Sequence, residues 1–212
     1  MPRDVRKMPF DAHAHLPAAG SCGIPEGWSG VVCAVRESEF ERLAALAKAN
    51  AGVIPAFGLH PWFLHERSAD WLETLRFFLE NTPRAEVGEI GLDKIRIADT
   101  PLKEQAEVFR TQLRLAATLN IPAHLHCVRA WGEMMSLLRA EKDLPKLHFH
   151  AFSGSVEIAR ELLKTADATF SFSPQQLRSA SEKLRRVRAS LPPERLFEES
   201  DAPLGDFNRQ DL

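Results

Sequence analysis

At 212 residues the chain is long enough for one domain with a sizeable core, and 44% hydrophobic against 26% charged residues is ordinary for a globular protein. With 27 basic and 29 acidic residues, a net charge of -2, it lacks the broad positive field that coats nucleic acid, so any phosphate contact must be local. No run of about 18 apolar residues reads as a membrane span and the amino terminus has no signal-peptide core; the few, scattered cysteines Cys22, Cys33 and Cys127 read as reduced thiols, so a single cytoplasmic domain over residues 1–212 is expected.

Short apolar runs alternate with stretches of helical period. The predicted strands are MPFDAH, GVVCAV, VIPAFG, AEVGEIGL, IPAHLH, KLHFHAF, ATFSFS and RLFEES. PAAGSCGIPEGWSG, between the first two, reads as loop. The later gaps hold predicted helices: ESEFERLAALAKAN, ADWLETLRFFLEN, KEQAEVFRTQLRLAATLN, AWGEMMSLLRAEK, SVEIARELLKTA and SEKLRRVRASL. Pro83, Pro122 and Pro145 closely follow three of them, as helix stops do. Strands alternating with helices favour parallel pairing through right-handed crossovers. Eight of them predict a (β/α)8 barrel of the TIM type. Such barrels typically run to about 250 residues, and only APLGDFNRQDL follows Asp201, so the closing helix is expected to be reduced or absent. Barrel surface left bare there would suit a homodimer.

In DAHAHLP, side chains two apart on an extended backbone share a face, so His13 and His15 present two imidazoles together with Asp11 beside them. Imidazole is the commonest metal ligand near neutral pH; a polar loop is the competing reading of this stretch alone. The working residues of an eight-stranded barrel gather at the carboxyl ends of its strands. His13 and His15 end the first strand, Glu89 lies on the fourth, His126 and His150 close the fifth and sixth, and Asp201 follows the last. Four histidines and two carboxylates suit two divalent ions bridged by Glu89, with Asp201 as general base for an activated water. Magnesium, manganese and zinc all fit this donor set.

The stretches DAHAHL, FGLHPW, VGEIGLD, IPAHLHCVRA, HFHAFSGS and FEESDAP resemble, in order, the signature blocks of the TatD family of metal-dependent hydrolases, within the amidohydrolase-like superfamily. They span nearly the whole chain. The resemblance implies a two-metal barrel hydrolase of deoxyribonuclease type, with DNA or another nucleotide phosphodiester as substrate. It carries the metal roles onto His13, His15, Glu89, His126, His150 and Asp201, and a phosphate contact onto His60. The family arginine normally stands two residues after the fifth-strand histidine. Here Val128 occupies that place and Arg129, one later, becomes the candidate phosphate clamp. The last block reads ESD where ETD is usual.

Asp11, His124, His148 and Asp93 are expected to support the ligands from behind, His65 to lie on the surface, and Cys127 to be packing. Arg185, Arg186 and Arg188 read as a solvated helix face rather than a nucleic-acid patch. Two other functions fit the same residues. The metals could serve hydrolysis of an ester, lactone or amide, including an aminoacyl-tRNA ester, since fold does not choose the bond. Alternatively the chain could be a non-catalytic metal-binding scaffold.

Overall fold

The computed structural model describes residues 10–17, 24–179 and 181–204. The expectations made for Cys22, for the amino-terminal residues before Phe10 and for the tail beyond Leu204 lie outside them. Eight parallel strands close into a barrel in chain order: β1 (Asp11–His15), β2 (Gly30–Cys33), β3 (Val53–Phe57), β4 (Glu86–Asp93), β5 (Ala123–Val128), β6 (Leu147–Phe149), β7 (Ala168–Phe172) and β8 (Leu196–Glu198), which pairs back with β1 at Asp11 and Glu198. The expected (β/α)8 architecture is the observed one. Among the described residues seven α-helices lie in the crossovers: α1 (Phe40–Ala49), α2 (Trp71–Asn81), α3 (Leu102–Leu119), α4 (Trp131–Ala140), α5 (Val156–Thr165), α6 (Pro174–Arg178) and α7 (Glu182–Ala189). Among the described residues the first crossover has no helix, in keeping with its glycine- and proline-rich sequence.

The alternation of side chains along each strand divides the apolar residues into two populations. Val32 of β2 belongs to the large core between barrel and helices, with Phe40 and Leu43 of α1 and Phe57 of β3. Its neighbours Val31 and Cys33 turn inward and meet Ala56 in a separate small cluster inside the barrel. Both faces of these strands are buried, which is why they read as continuous apolar runs.

Two glutamines of α3 reach back to the barrel mouth. Gln112 uses both ends of its amide on Leu59, accepting from the backbone N–H at 2.7 Å and donating to the carbonyl at 3.2 Å. Gln105 does the same for Asp93, at 2.8 and 3.0 Å, and also donates to the Thr100 carbonyl. Each buried amide thus satisfies backbone groups at the carboxyl end of a strand, on its last residue at Asp93 and two residues beyond it at Leu59.

Helix α6 was not predicted. Five residues are too short for a helical period, but its Ser173 and Gln176 form a reciprocal capping box, a signal readable as S-x-x-Q. The other boundaries moved by a few residues; β1 begins at Asp11 and leaves Phe10 outside the strand, and β6 ends at Phe149, one residue before His150.

On the outer surface Glu141 accepts from Arg114 and Arg110, and both hold its carboxyl below its ordinary value of 4.5. A depressed folded-state value gives stability that is present above pH 4.5 and lost as the pH falls through the folded value. Glu141→Gln is therefore expected to lower stability at pH 7 by no more than about 1 kcal/mol, with wild type and variant converging in acid. Urea midpoints at pH 7 and pH 3 check this.

Candidate metal centre

The carboxylate of Glu89 sits in the mouth formed by the carboxyl ends of the strands, with five imidazoles around it. Its Oε2 lies 3.4 Å from His13 Nε2 and 3.9 Å from His15 Nε2. Its Oε1 lies 2.7 Å from His150 Nε2, 2.9 Å from His126 Nδ1 and 3.3 Å from His60 Nε2. Asp201 faces the same space, with Oδ1 3.5 Å from His15 Nε2 and 3.8 Å from His150 Nδ1. All six residues assigned a metal role from the sequence meet here, and His60 joins them.

Local chain geometry explains the convergence. His13 and His15 point inward because they alternate with Ala14, which packs in the outer core. Asp11 accepts from the backbone N–H groups of His13 (3.2 Å) and Ser200 (2.9 Å), which ties β1 to the segment after β8. The Asp201 N–H then donates to the His13 carbonyl at 3.0 Å. Asp201 has a left-handed φ of 50°, a conformation aspartate tolerates better than most residues.

The imidazole nitrogens are sorted by their outer partners. Asp93 accepts the Nε2–H of His126 at 3.0 Å, which turns Nδ1 toward Glu89 at 2.9 Å; burial opposes the charged ring, but the bonds to Asp93 and Glu89 outweigh it and raise the group. Asp93 is itself fixed by the Trp62 indole N–H and the Ile95 backbone N–H, both at 2.7 Å. His60 is set the other way. Its Nδ1 accepts from the Trp62 backbone N–H at 3.2 Å, so its Nε2 carries the proton and donates into the mouth. That tautomer suits an anion contact rather than a metal ligand. Asp93→Asn is expected to weaken divalent-ion affinity about 10- to 100-fold by unlocking His126, which calorimetric titration with manganese would read.

Burial and the facing charges set the ionisation. Burial, reinforced by His150 stacked at 3.9 Å between ring centroids, presses His13 down to about 3. Burial likewise takes His60 to about 4, against the pull of Glu89. For His150 burial opposes the charged form, but Glu89 and Asp201 outweigh it and raise the group to about 10. Burial also opposes the charge on Glu89, yet His150 and His60 hold its carboxyl well below the usual range. Asp201 is lowered in the same way, burial being overcome by its bond to His15 and by the nearby His150.

The donor set fits divalent cations. His13 Nε2 and His150 Nδ1 are buried nitrogens with no hydrogen-bond partner, both aimed at the carboxylates. Buried polar atoms are rarely left unpaired, and a cation satisfies both. Three groups that overlap at His13 and Glu89, namely His13 with His15 and Asp201, His13 with Glu89 and His150, and His60 with Glu89 and His126, each have donor atoms within 4.8 Å of one another.

A cavity of about 910 Å³ opens above these groups. Arg129 lines it: the residue is exposed and its left-handed φ of 54° turns the chain at the point where the arginine is displaced by one position. Trp62, Trp131, Gln176 and Lys183 line it too. None of these four was singled out from the sequence, because nothing in a lone residue on a helix marks it as facing the mouth. His124 and His148 are lower in the barrel. His124 Nε2 meets Glu86 at 2.5 Å, and His148 bonds Thr169 and Ser171. His65 is exposed and Cys127 buried, as expected.

Also missed was Glu199, fully buried two residues before Asp201. It accepts from the Ala151 N–H at 2.9 Å and from the Ser171 hydroxyl, and burial raises it to about 7. Its period-two spacing from Asp201 was the available signal.

Residues 10–210 match the family model described as TatD related DNase. The human 3'-5' RNA nuclease TATDN2 is 33% identical over 152 residues, which are 70% of this chain and 20% of that protein. The 3'-5' ssDNA/RNA exonuclease TatD of Cronobacter turicensis is 33% identical over 166 residues, 78% of this chain and 63% of that one. This chain thus spans less than two thirds of either relative. The metal-dependent hydrolase YjjV of Escherichia coli is 33% identical over 201 residues, 91% of this chain and 73% of its own length. Its crystal structure superimposes with a TM-score of 0.80 at 28% identity, covering 95% of this chain and 83% of that chain.

Proposed function

Because the chain belongs to the TatD related DNase family, we propose that it is a two-metal phosphodiesterase acting on the ends of single-stranded DNA or RNA. The observation that carries this reading is the pair of orphaned imidazole nitrogens, on His13 and His150, facing Glu89 and Asp201 inside a five-histidine ring. His13, His15, Glu89, His126, His150 and Asp201 would hold the ions, with Glu89 between them. Two divalent cations so held supply Lewis acidity to a phosphate oxygen and lower the pKa of a water.

The chain's own residues supply the rest. Asp201, ionised at neutral pH and 29% exposed to the cavity, holds the attacking water and takes its proton. The His60 Nε2–H donates to a phosphate oxygen, and the Arg129 guanidinium offers paired donors to the same group from the rim. Lys183 adds a second cation across the mouth. The indoles of Trp62 and Trp131 border the cavity, where base stacking is worth about 1–3 kcal/mol per base and tolerates any sequence. A near-neutral chain with Arg129 and Lys183 placed at the mouth suits a strand end rather than long duplex.

The reading extends to a cytoplasmic setting, in accord with free buried thiols at Cys33 and Cys127. No described helix is long and apolar enough to cross a membrane.

The test is a panel of single-stranded DNA and RNA oligonucleotides beside an ester and lactone panel, each with manganese, magnesium or chelator. Metal-dependent release of mononucleotides is expected. Activity confined to the esters and lactones, or none on either panel with metal-replete protein, would overturn the assignment. In the same preparation, removal of metal by chelator is expected to lower the melting temperature, since any ligand bound only by the folded chain stabilises it.

A further inference from the structure

One buried group lies beneath the metal centre, inside the barrel, and shares only His13 with the hydrolase reading. His13 turns Nε2 toward Glu89 and Nδ1 the other way, where the Cys33 thiol lies 3.5 Å off. His124, 4% exposed, completes the group, and the donor atoms of His13, Cys33 and His124 all fall within 4.8 Å of one another. Glu86 accepts the Nε2–H of His124. That bond fixes the tautomer and leaves the Nδ1 lone pair inside the barrel, where it has no hydrogen-bond partner. A carboxylate behind an imidazole whose other nitrogen is bare is the usual outer support of a metal-binding histidine.

We propose that Cys33 Sγ, His124 Nδ1 and His13 Nδ1 form an inner site for a thiophilic divalent cation of the zinc class, distinct from the ions of the mouth. A tetrahedral zinc site, from its ordinary bond lengths, has sulfur and nitrogen about 3.5 Å apart; the Cys33–His13 separation is already 3.5 Å. One thiolate and two imidazoles select zinc, cobalt or cadmium over magnesium, calcium or manganese. Burial and the Glu89 carboxylate keep the free thiol protonated. On binding, the S–H bond breaks, a sulfur–metal bond forms and the proton leaves to solvent, because a coordinating thiol is deprotonated outright. The way in is a second cavity of about 350 Å³ at the opposite end of the barrel, lined by Glu86, His124 and His148.

The site has a consequence for catalysis, which rests on the reading of the mouth given above. A neutral imidazole has one lone pair. With the inner site empty, the His13 Nδ1–H points at Cys33 and Nε2 is free to serve the mouth. When an inner cation takes Nδ1, the proton moves to Nε2 and is donated to Glu89, so His13 is withdrawn from the outer pair. Zinc in the inner site therefore inhibits an enzyme running on magnesium or manganese.

Cobalt alone is the probe, added to the full-length chain stripped of metal. A near-ultraviolet thiolate-to-cobalt absorption band is expected at about one equivalent, because cobalt takes the same ligands as zinc. The band should persist in Glu89→Ala, which disables the mouth but not the inner site, and disappear in Cys33→Ser. In Glu86→Gln the affinity read from the band should fall about 10- to 100-fold. Zinc titrated into a manganese-supported assay should slow the wild type, while Cys33→Ser, scored against its own zinc-free rate, should be less sensitive. Absence of the band in wild type overturns the site without any variant, as does an undiminished band in Cys33→Ser. Equal zinc sensitivity of wild type and Cys33→Ser overturns the link through His13. The spectra are read without substrate, so they stand or fall apart from the phosphodiesterase assignment.

Discussion

Glu89→Ala is expected to leave a folded barrel that no longer holds two ions and has lost hydrolysis by about a thousandfold or more. The carboxylate has five imidazole nitrogens within 3.9 Å, so no other side chain stands between the two halves of the site. Metal polarisation of a reacting oxygen supplies several kcal/mol, and each 1.36 kcal/mol is about tenfold in rate, which gives that magnitude. Folding should survive. Glu89 is a charge held out of water, and its removal lets His150 fall back from about 10 toward a neutral ring instead of leaving a stranded cation. The shorter Glu89→Asp keeps the charge but cannot span both sides, and should retain one ion and intermediate activity. Metal counting by plasma spectrometry, beside oligonucleotide digestion, separates these outcomes. Two ions still bound in Glu89→Ala would refute the bridging role.

Gly91→Ala should be a severely damaging change although it replaces no proposed ligand, costing about 3 kcal/mol of stability, the upper end for overpacking. Gly91 lies on β4 two residues past Glu89, paired with His126 of β5. A Cβ built there would stand 1.9 Å from the His126 carbonyl oxygen and 2.7 Å from its carbon. Those atoms are backbone in a central strand and cannot swing aside, so β4 and β5 must separate. The separation would carry His126 from Glu89, and activity should fall with stability. Urea unfolding and metal titration of the same preparation check both parts. Gly132 is the control: nothing lies within 4 Å of a Cβ at that position, so Gly132→Ala should leave both quantities nearly unchanged.

The barrel was legible because its strands and helices differ in apolar period and alternate with little interruption. The six carboxylate and imidazole positions were legible for a related reason. In a closed parallel barrel the carboxyl end of every strand faces the same mouth, so a residue's place along its own strand fixes its place in the site. What stayed hidden depends on side-chain direction. Asp93 was named as a support, but that it holds His126 and in turn receives the Trp62 indole follows only from the structure. His60 reads as a phosphate contact in the sequence, while the tautomer that turns a donor into the mouth is set by the Trp62 backbone N–H, which no pattern announces. Cys33 looked like an ordinary apolar position in GVVCAV. Only the register of β2 beside β1, with Cys33 opposite His15, turns its sulfur toward His13.

The two glutamines of α3 give the mouth a mechanical property of its own. Gln112 grips Leu59, next to His60, and Gln105 grips Asp93, the partner of His126. The segment carrying His60, the proposed phosphate donor, and Asp93, which orients the proposed ligand His126, are thus clamped to one rod, seven residues apart on its inner side, and must ride together if that rod tilts. The amides of Leu59 and Asp93, distant in sequence, are then released by the same excursion of the helix. Their deuterium uptake should follow a single rate, and Gln112→Leu should hasten exchange at both.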